Sequence, residues 1–472
     1  MAYSVNFSWQ RTFLGVSMMQ RTHHHGLSQP SRRSFIKSTG ALVSAVGASA
    51  VGAAGLSLGK PALAKPKIET LARSGGAKAV TIANASSAWR WPRYGDAEQR
   101  AMMELLKNPG YGQLGAFEEE WKEFTGSPYV KSHCNGTSAL TSMFFALDLP
   151  PGSEILVPSY TFFATIVPMR LFGLVPVFVD INPRTLNFDL EDAKKRLTKN
   201  TKAVLPVHWI GLPCEMDRIG EWAEEKGLIV LEDAAHAHGA ELQGRKMGTW
   251  GRMSIFSFQQ TKPLPAIEGG MGMYQNREDY ERATTFGHYS MPDSFPADSE
   301  YRKFNGTGLG VKFRMHPMAA ALARCQLAGL DQRNAKGVAQ TRKLNDRLLQ
   351  LPGLHEQTYG RADMKRLHYS WNMLFIDEAE AGMSRAAAVQ ALQAEGVQTS
   401  AFRYRLQHHC DLYKEAKWWH HPPVIPELPG SEKANATSLP LPYFTTEAPE
   451  LVDQYVKAFE KVWAHRDEIG RS

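Results

Sequence analysis

The sequence predicts an α/β protein built on a mostly parallel sheet, followed by a smaller α+β unit. Helical patterns alternate with short β-branched or apolar runs from about Ala88 onward, the pattern of repeated βαβ units. The chain has 472 residues, 43% hydrophobic and 21% charged, enough to bury a sizeable core and far from collagenous, coiled-coil or wholly disordered composition. After Pro317 comes an Ala/Leu/Arg/Gln-rich tract without another proline until Pro352, which predicts a long helix leaving the sheet.

In chain order, the expected strands are Glu154–Val157, Val175–Val179, Ala203–Val207 and Gly227–Leu231, each short and apolar as buried parallel strands are. The helix from Pro317 to about Leu349 ends the first domain. Beyond it, Trp371–Ile376 reads as a strand, Ser384–Glu395 as a helix and Leu451–Ile469 as a final amphipathic helix. The division expected is therefore 1–64 as a leader, 65–340 as the large α/β domain and 341–472 as the small α+β domain.

The leader explains the charge. The formal net charge is +7, and residues 1–64 contain Arg11, Arg21, Arg32, Arg33, Lys37 and Lys60 with no acid. Only about +1 is left for the remainder, which removes the main support for a nucleic-acid partner. A basic start, an uncharged Gly/Ala/Ser-rich run from Ala41 to Gly59 and the small residues Ala62-Leu63-Ala64 form the grammar of a signal peptide. Ser31-Arg32-Arg33-Ser34-Phe35-Ile36-Lys37 resembles the twin-arginine export signal, whose machinery carries folded proteins and would place the mature chain in the periplasm. A retained anchor, an inert tail with a cytoplasmic protein, and initiation at Met18 or Met19 are the alternatives. The four cysteines, Cys134, Cys214, Cys325 and Cys410, stand far apart without a C-x-x-C pair, so neither a disulfide framework nor a thiolate metal site is indicated.

Four segments carry candidate chemistry. Lys262, followed by Pro263, Pro265 and Gly269-Gly270, sits in a turn rather than on a helix face. Held and partly desolvated, it could form a Schiff base; otherwise it is surface charge. The apolar run Leu228–Leu231 ends in Glu232-Asp233-Ala234-Ala235-His236, and ligands in open α/β sheets lie at carboxyl strand ends. Asp233 is preferred to Glu232 as the acid that would keep a pyridinium protonated, with a helix-capping aspartate as the bland reading. Asn135-Gly136-Thr137-Ser138 precedes apolar residues at helical spacing and would hold a phosphate on free N–H groups and hydroxyls, or simply cap a helix. Tyr160-Thr161-Phe162-Phe163 follows a strand, where an aromatic could lie on a heteroaromatic ring or pack in the core.

Taken in this order, the segments resemble the DegT/DnrJ/StrS family of pyridoxal-phosphate sugar aminotransferases. Further matches are Gly115-Ala-Phe-Glu118, Val207-His208-Trp-Ile-Gly211, Phe313-Arg314-Met315 and Leu439-Pro-Leu-Pro442. The resemblance implies an aspartate aminotransferase type of fold and pyridoxal 5'-phosphate as cofactor. It makes Lys262 the Schiff-base lysine and general base, Asp233 the pyridinium partner and Phe162 the stacking aromatic. Gly136, Thr137, Ser138 and Ser257 fall where the family binds phosphate. His236 stands where the family usually has Gln, near the cofactor's phenolic oxygen. Lys312 replaces an Asn that reaches the partner subunit's phosphate; a substitute contact and plain solvation are both open. A homodimer with shared active sites, an amino donor such as Glu or Gln, and a keto-sugar or related cyclic ketone as acceptor are implied as well. Relatives that dehydrate sugars carry His in place of the lysine, so Lys262 favours transamination over dehydration or a non-catalytic binding role. His408, His409, His420 and His421, beside Trp418 and Trp419, could line an acceptor pocket or lie in a surface loop.

Overall fold

The computed structural model describes residues 69–471. The leader, including Arg32, Arg33 and Ala62–Ala64, lies outside the described residues.

The sheet elements are, in chain order, β1 (Tyr129–His133), β2 (Glu154–Pro158), β3 (Val175–Val179), β4 (Thr201–Val204), β5 (Ile229–Asp233), β6 (Glu241–Leu242), β7 (Arg245–Lys246), β8 (Met253–Ser257), β9 (Gly270–Tyr274), β10 (Leu354–Glu356), β11 (Met364–Lys365), β12 (Trp371–Ile376) and β13 (Ser438–Pro442). Seven of them form the main sheet in the order β1-β9-β8-β5-β4-β2-β3. All its neighbours run parallel except β9, which is antiparallel to both β1 and β8. This is the α/β architecture expected from the sequence.

Alternation along the strands divides the core into two layers. Leu156 and Val204 face one layer with Phe117, Trp121, Ile219 and Trp222 of the helices Gly112–Thr125 and Met216–Lys226. Ile155, Val157 and Ala203 face the other, against Leu140, Met143 and Phe144 of the helix Gly136–Ala146. Successive strand side chains point to opposite faces, so one apolar run serves both layers.

Two expected boundaries shift. β5 starts at Ile229, because Gly227 takes φ +65° to cap the preceding helix, and it continues through Glu232 and Asp233. β4 ends at Val204, and Val207 touches β5 only through an isolated bridge to Asp233. The expected long helix is two, Pro317–Ala328 and Leu330–Leu348, parted at Gly329. Leu330 turns into the core there, and Arg333 Nη2 donates to the Gln326 carbonyl (2.7 Å) across the break.

The C-terminal part holds an antiparallel sheet of β10, β12 and β13, with the helices Arg385–Ala394 and Pro449–Ala464 packed together. The latter stops at Ala464, and a separate turn Arg466–Ile469 completes the expected final helix. This core also takes in Leu71, Ala79, Val80 and Ala88. Leu71, Ala79, Val80 and Ala88 thus pack with the C-terminal unit. The fully buried Glu395 carboxylate receives the amides of Ala72 (2.7 Å) and Ala79 (3.0 Å) and the Lys461 ammonium (2.8 Å). Among the described residues, no helix is long and apolar enough to cross a membrane.

Candidate active site

The functional side chains gather at the carboxyl edge of the main sheet, where strand ends and following loops converge. β1 leads into the helix Gly136–Ala146, whose cap is Asn135: its Oδ1 accepts from the Ser138 amide (2.8 Å) and hydroxyl (2.9 Å). The first-turn amides that this cap does not use, and the helix dipole, are suited to an anion. β8 ends at Ser257 beside that turn. A methyl group on Gly136 would sit 2.9 Å from Ser257 Cβ and 3.3 Å from its Oγ, and one on Gly270 would overlap the Asn135 carbonyl. The backbone is therefore bared just where a phosphate needs close approach. Gly136 and Ser257 form one cradle; Thr137 and Ser138 stand in the same turn, the Ser138 hydroxyl being bonded to Asn135 Oδ1.

The two adjacent carboxylates at the end of β5 have separate tasks. Glu232 is turned into the core and saturated: it accepts from the amides of Gly248 (2.7 Å) and Gly251 (2.6 Å) and from His208 Nε2 (3.0 Å). His208 Nδ1 accepts from the Cys214 amide (3.0 Å), which leaves the proton on Nε2. Asp233 takes a hydroxyl bond from Thr165 on Oδ2 (2.8 Å) and the Ala235 amide on Oδ1 (3.1 Å). Oδ1 closes a turn and not the start of a helix, since no helix follows β5 here, and Oδ2 faces Thr165. Burial raises its pKa, while the Thr165 and Ala235 bonds and the Lys262 charge pull the other way.

Lys262 is fixed at both ends. Its backbone amide donates to the Gln259 carbonyl (2.8 Å), and its carbonyl accepts from Trp91 Nε1 (3.0 Å). Its Nζ stands 4.6 Å from the centre of the Tyr369 ring, a cation–π contact. Tyr369 Oη is 2.7 Å from Thr261 Oγ1. Burial alone would raise the pKa of this phenol, but the Lys262 charge and the bonds to Thr261 and Ser370 bring it below the ordinary value. The His236 ring lies 4.2 Å from that of Tyr369. Burial first, then Lys262, holds His236 neutral, far below its usual pKa, and its Nδ1 accepts weakly from the Ile210 amide at 3.4 Å. Neighbouring His238, driven down to about 3 by burial and Lys262, bonds the Ser257 carbonyl through Nε2 (2.9 Å).

Phe162 follows Thr161, whose hydroxyl meets Thr165 (2.8 Å). It thus belongs to the loop that touches Asp233, and its ring is 54% exposed. Lys312 is exposed and lines a cavity of ≈ 900 Å³ that reaches Cys134 and Ala266–Glu268. The expected histidine cluster is dispersed. His408 is buried, its Nδ1 2.6 Å from Ser159 Oγ, whereas His421 lies near Glu154 at the opposite, amino end of β2. Sequence reading missed Trp91, Thr165 and Tyr369, which hold the lysine and the aspartate, and Arg333 and Tyr443, which line the adjoining cavity. Of these, only Thr165 lies close in sequence to a motif segment, two residues after Phe163.

The model of the DegT/DnrJ/EryC1/StrS aminotransferase family matches residues 95–460. The chain belongs to this family, whose members are pyridoxal-phosphate enzymes with the fold described. It is 33% identical over 250 residues to 3-amino-5-hydroxybenzoate synthase of Amycolatopsis mediterranei, over 52% of this chain and 63% of that protein. To Protein MosB of Rhizobium meliloti it is 36% identical over 239 residues, 49% of this chain and 47% of the other. The matched stretches thus span less than two thirds of either curated relative. A crystal structure of DesI in the presence of its TDP-sugar product superposes with a TM-score of 0.67 at 28% identity, covering 84% of this chain and 96% of that one.

Proposed function

We propose that this protein is a pyridoxal-phosphate-dependent aminotransferase that moves an amino group from an amino acid, Glu or Gln, to a keto-sugar or related cyclic ketone. The observation that carries the reading is that Lys262, whose charge bears on Asp233, shares the carboxyl edge of the sheet with that carboxylate and the Gly136/Ser257 cradle. Family membership and its likeness to an aminobenzoate synthase and a sugar enzyme support it. The cradle fits a phosphate and Asp233 fits a ring nitrogen; when bound there, the cofactor supplies an electron sink for the donor's α-carbon.

The chain's own residues do the rest. Asp233, steadied by Thr165 and Ala235, presents a negative oxygen to a cationic ring nitrogen, which returns to the carboxylate the stabilisation that burial removes. Lys262 Nζ, with the tyrosine ring beneath it, is placed to give up and take back a proton at one position. His236, neutral and packed between Tyr369 and Trp209, can offer one donor without adding charge. Phe162, on the loop of Thr161 and Thr165, would stack on the ring.

We also propose that the protein acts as a homodimer and is exported by the twin-arginine route. Both extend the sequence reading: gel filtration of the purified protein and fractionation of cells expressing a variant with Arg32 and Arg33 replaced by Lys test them. For the activity, the visible spectrum of the loaded protein is recorded before and after glutamate. Bleaching by glutamate, abolished in Lys262→Ala, is expected. Normal turnover of Lys262→Ala would overturn the assignment.

A further inference from the structure

Next to Lys262 lies a second cavity of ≈ 180 Å³, bounded by Thr261, Pro263, Tyr369, Trp89, Trp91 and Tyr443, with Arg333 and Asn334 on its wall. A cavity of about 150 Å³ suffices for benzene, so this one admits a six-membered ring. Its walls are mostly flat and aromatic. The charge on its wall is out of keeping with them. Arg333 donates through Nη2 to the Gln326 carbonyl, while its Nε is buried without a hydrogen-bond partner. Among the described residues it makes no ion pair, and its guanidinium stands 6.0 Å from the Trp91 ring. Trp91 in turn bonds the Lys262 carbonyl. A guanidinium without an ion pair on a largely apolar wall is matched by a carboxylate.

We infer that this cavity is the acceptor subsite and takes a cyclic compound bearing one carboxylate, held by Arg333 between Trp91 and Tyr443. The inference rests on the aminotransferase reading for the word acceptor, but the binding it describes does not require turnover. Benzoate and its neutral isostere benzamide are the probes, titrated into the cofactor-loaded enzyme and followed by tryptophan fluorescence and calorimetry. Wild type binds benzoate at least about tenfold more tightly than benzamide, the range of one charge-assisted pair. Arg333→Gln loses that preference and binds both alike, and Arg333→Lys, which keeps the charge without the fork, retains part of it. The thermal midpoints of the variants are measured alongside, and the ratio of the two probes is insensitive to a merely structural role for Arg333.

Equal binding of the probes by wild type, or an undiminished preference in Arg333→Gln, overturns the proposal. A tenfold higher glutamate requirement in Arg333→Gln without loss of benzoate preference would assign Arg333 to the donor and overturn the acceptor assignment. Benzoate binding through Arg333 in a protein that transfers no amine would sink the aminotransferase reading and leave this subsite standing.

Discussion

Asp233 shows how one carboxylate is kept ready in a dry site. Its neighbour Glu232 exhausts itself on two amides and a histidine, whereas Asp233 keeps Oδ2 on the site side with a single hydroxyl bond. Replacing it by Asn removes the charge that a cationic ring nitrogen needs. Asp233→Asn is expected to retain cofactor but lose at least about a hundredfold in turnover, the low end of what proton-transfer control supplies, measured by steady-state assay against bound-cofactor absorbance. Thr165→Val acts more gently. The Thr165 bond lowers the aspartate's pKa, so without it the acid limb of the pH–rate profile moves to higher pH. An unmoved limb would mean that Thr165 serves packing alone.

The cradle is a property of elements rather than of one side chain: a strand end, a helix start and a bare glycine meet within van der Waals reach. Gly136→Ala forces a methyl to 2.9 Å from Ser257 Cβ, closer than such atoms pack. The expected result is a folded protein with weakened cofactor retention, read by equilibrium dialysis, and unchanged retention would exclude the cradle. This scale also shows what sequence could and could not reveal. β2 and β3 were legible because short, mostly apolar runs between turns leave little choice. So were Lys262, Asp233 and Gly136, each tied to a local turn or strand end. The break at Gly329 was not legible, since a helix tolerates one glycine and the break depends on Leu330 finding the core. Tyr369 and Trp91 were invisible for a similar reason: they come from 107 residues after and 171 before the groups they touch, and no local pattern records a partner at that distance. The histidine and tryptophan run at 408–421 offered a pocket or a surface loop: His409, Trp418 and His420 are exposed, while His408 is buried at one end of β2 and His421 lies at the other.

Across the molecule, buried charge and buried imidazole set the limits of stability. Lys461 and Glu395 form a pair sunk in the C-terminal core, 2.8 Å apart. Lys461→Met leaves Glu395 without its counter-charge and is expected to cost about 3–5 kcal/mol, read as a lowered denaturation midpoint; a loss below 1 kcal/mol would mean that the amides of Ala72 and Ala79 suffice. Acid works through the histidines. Burial lowers His133 to about 4 and His238 to about 3, against about 6.5 when unfolded. Below pH 6.5 the unfolded chain binds more protons than the folded one, so these groups make stability fall as pH drops from 6.5 toward 4. His238→Asn should flatten that slope in denaturant titrations at successive pH values.

The pairing of Leu71, Ala79, Val80 and Ala88 with the helix Pro449–Ala464 has a consequence for biogenesis. Lys461 reaches the Ala77 carbonyl across 384 residues of sequence. At about 5–20 residues per second, a ribosome needs roughly 20–80 s to make that interval, and throughout it these early apolar residues have been synthesised while the surface that shelters them has not. They are a natural seat for a chaperone during translation, and the C-terminal core can close only once the last helix has left the exit tunnel.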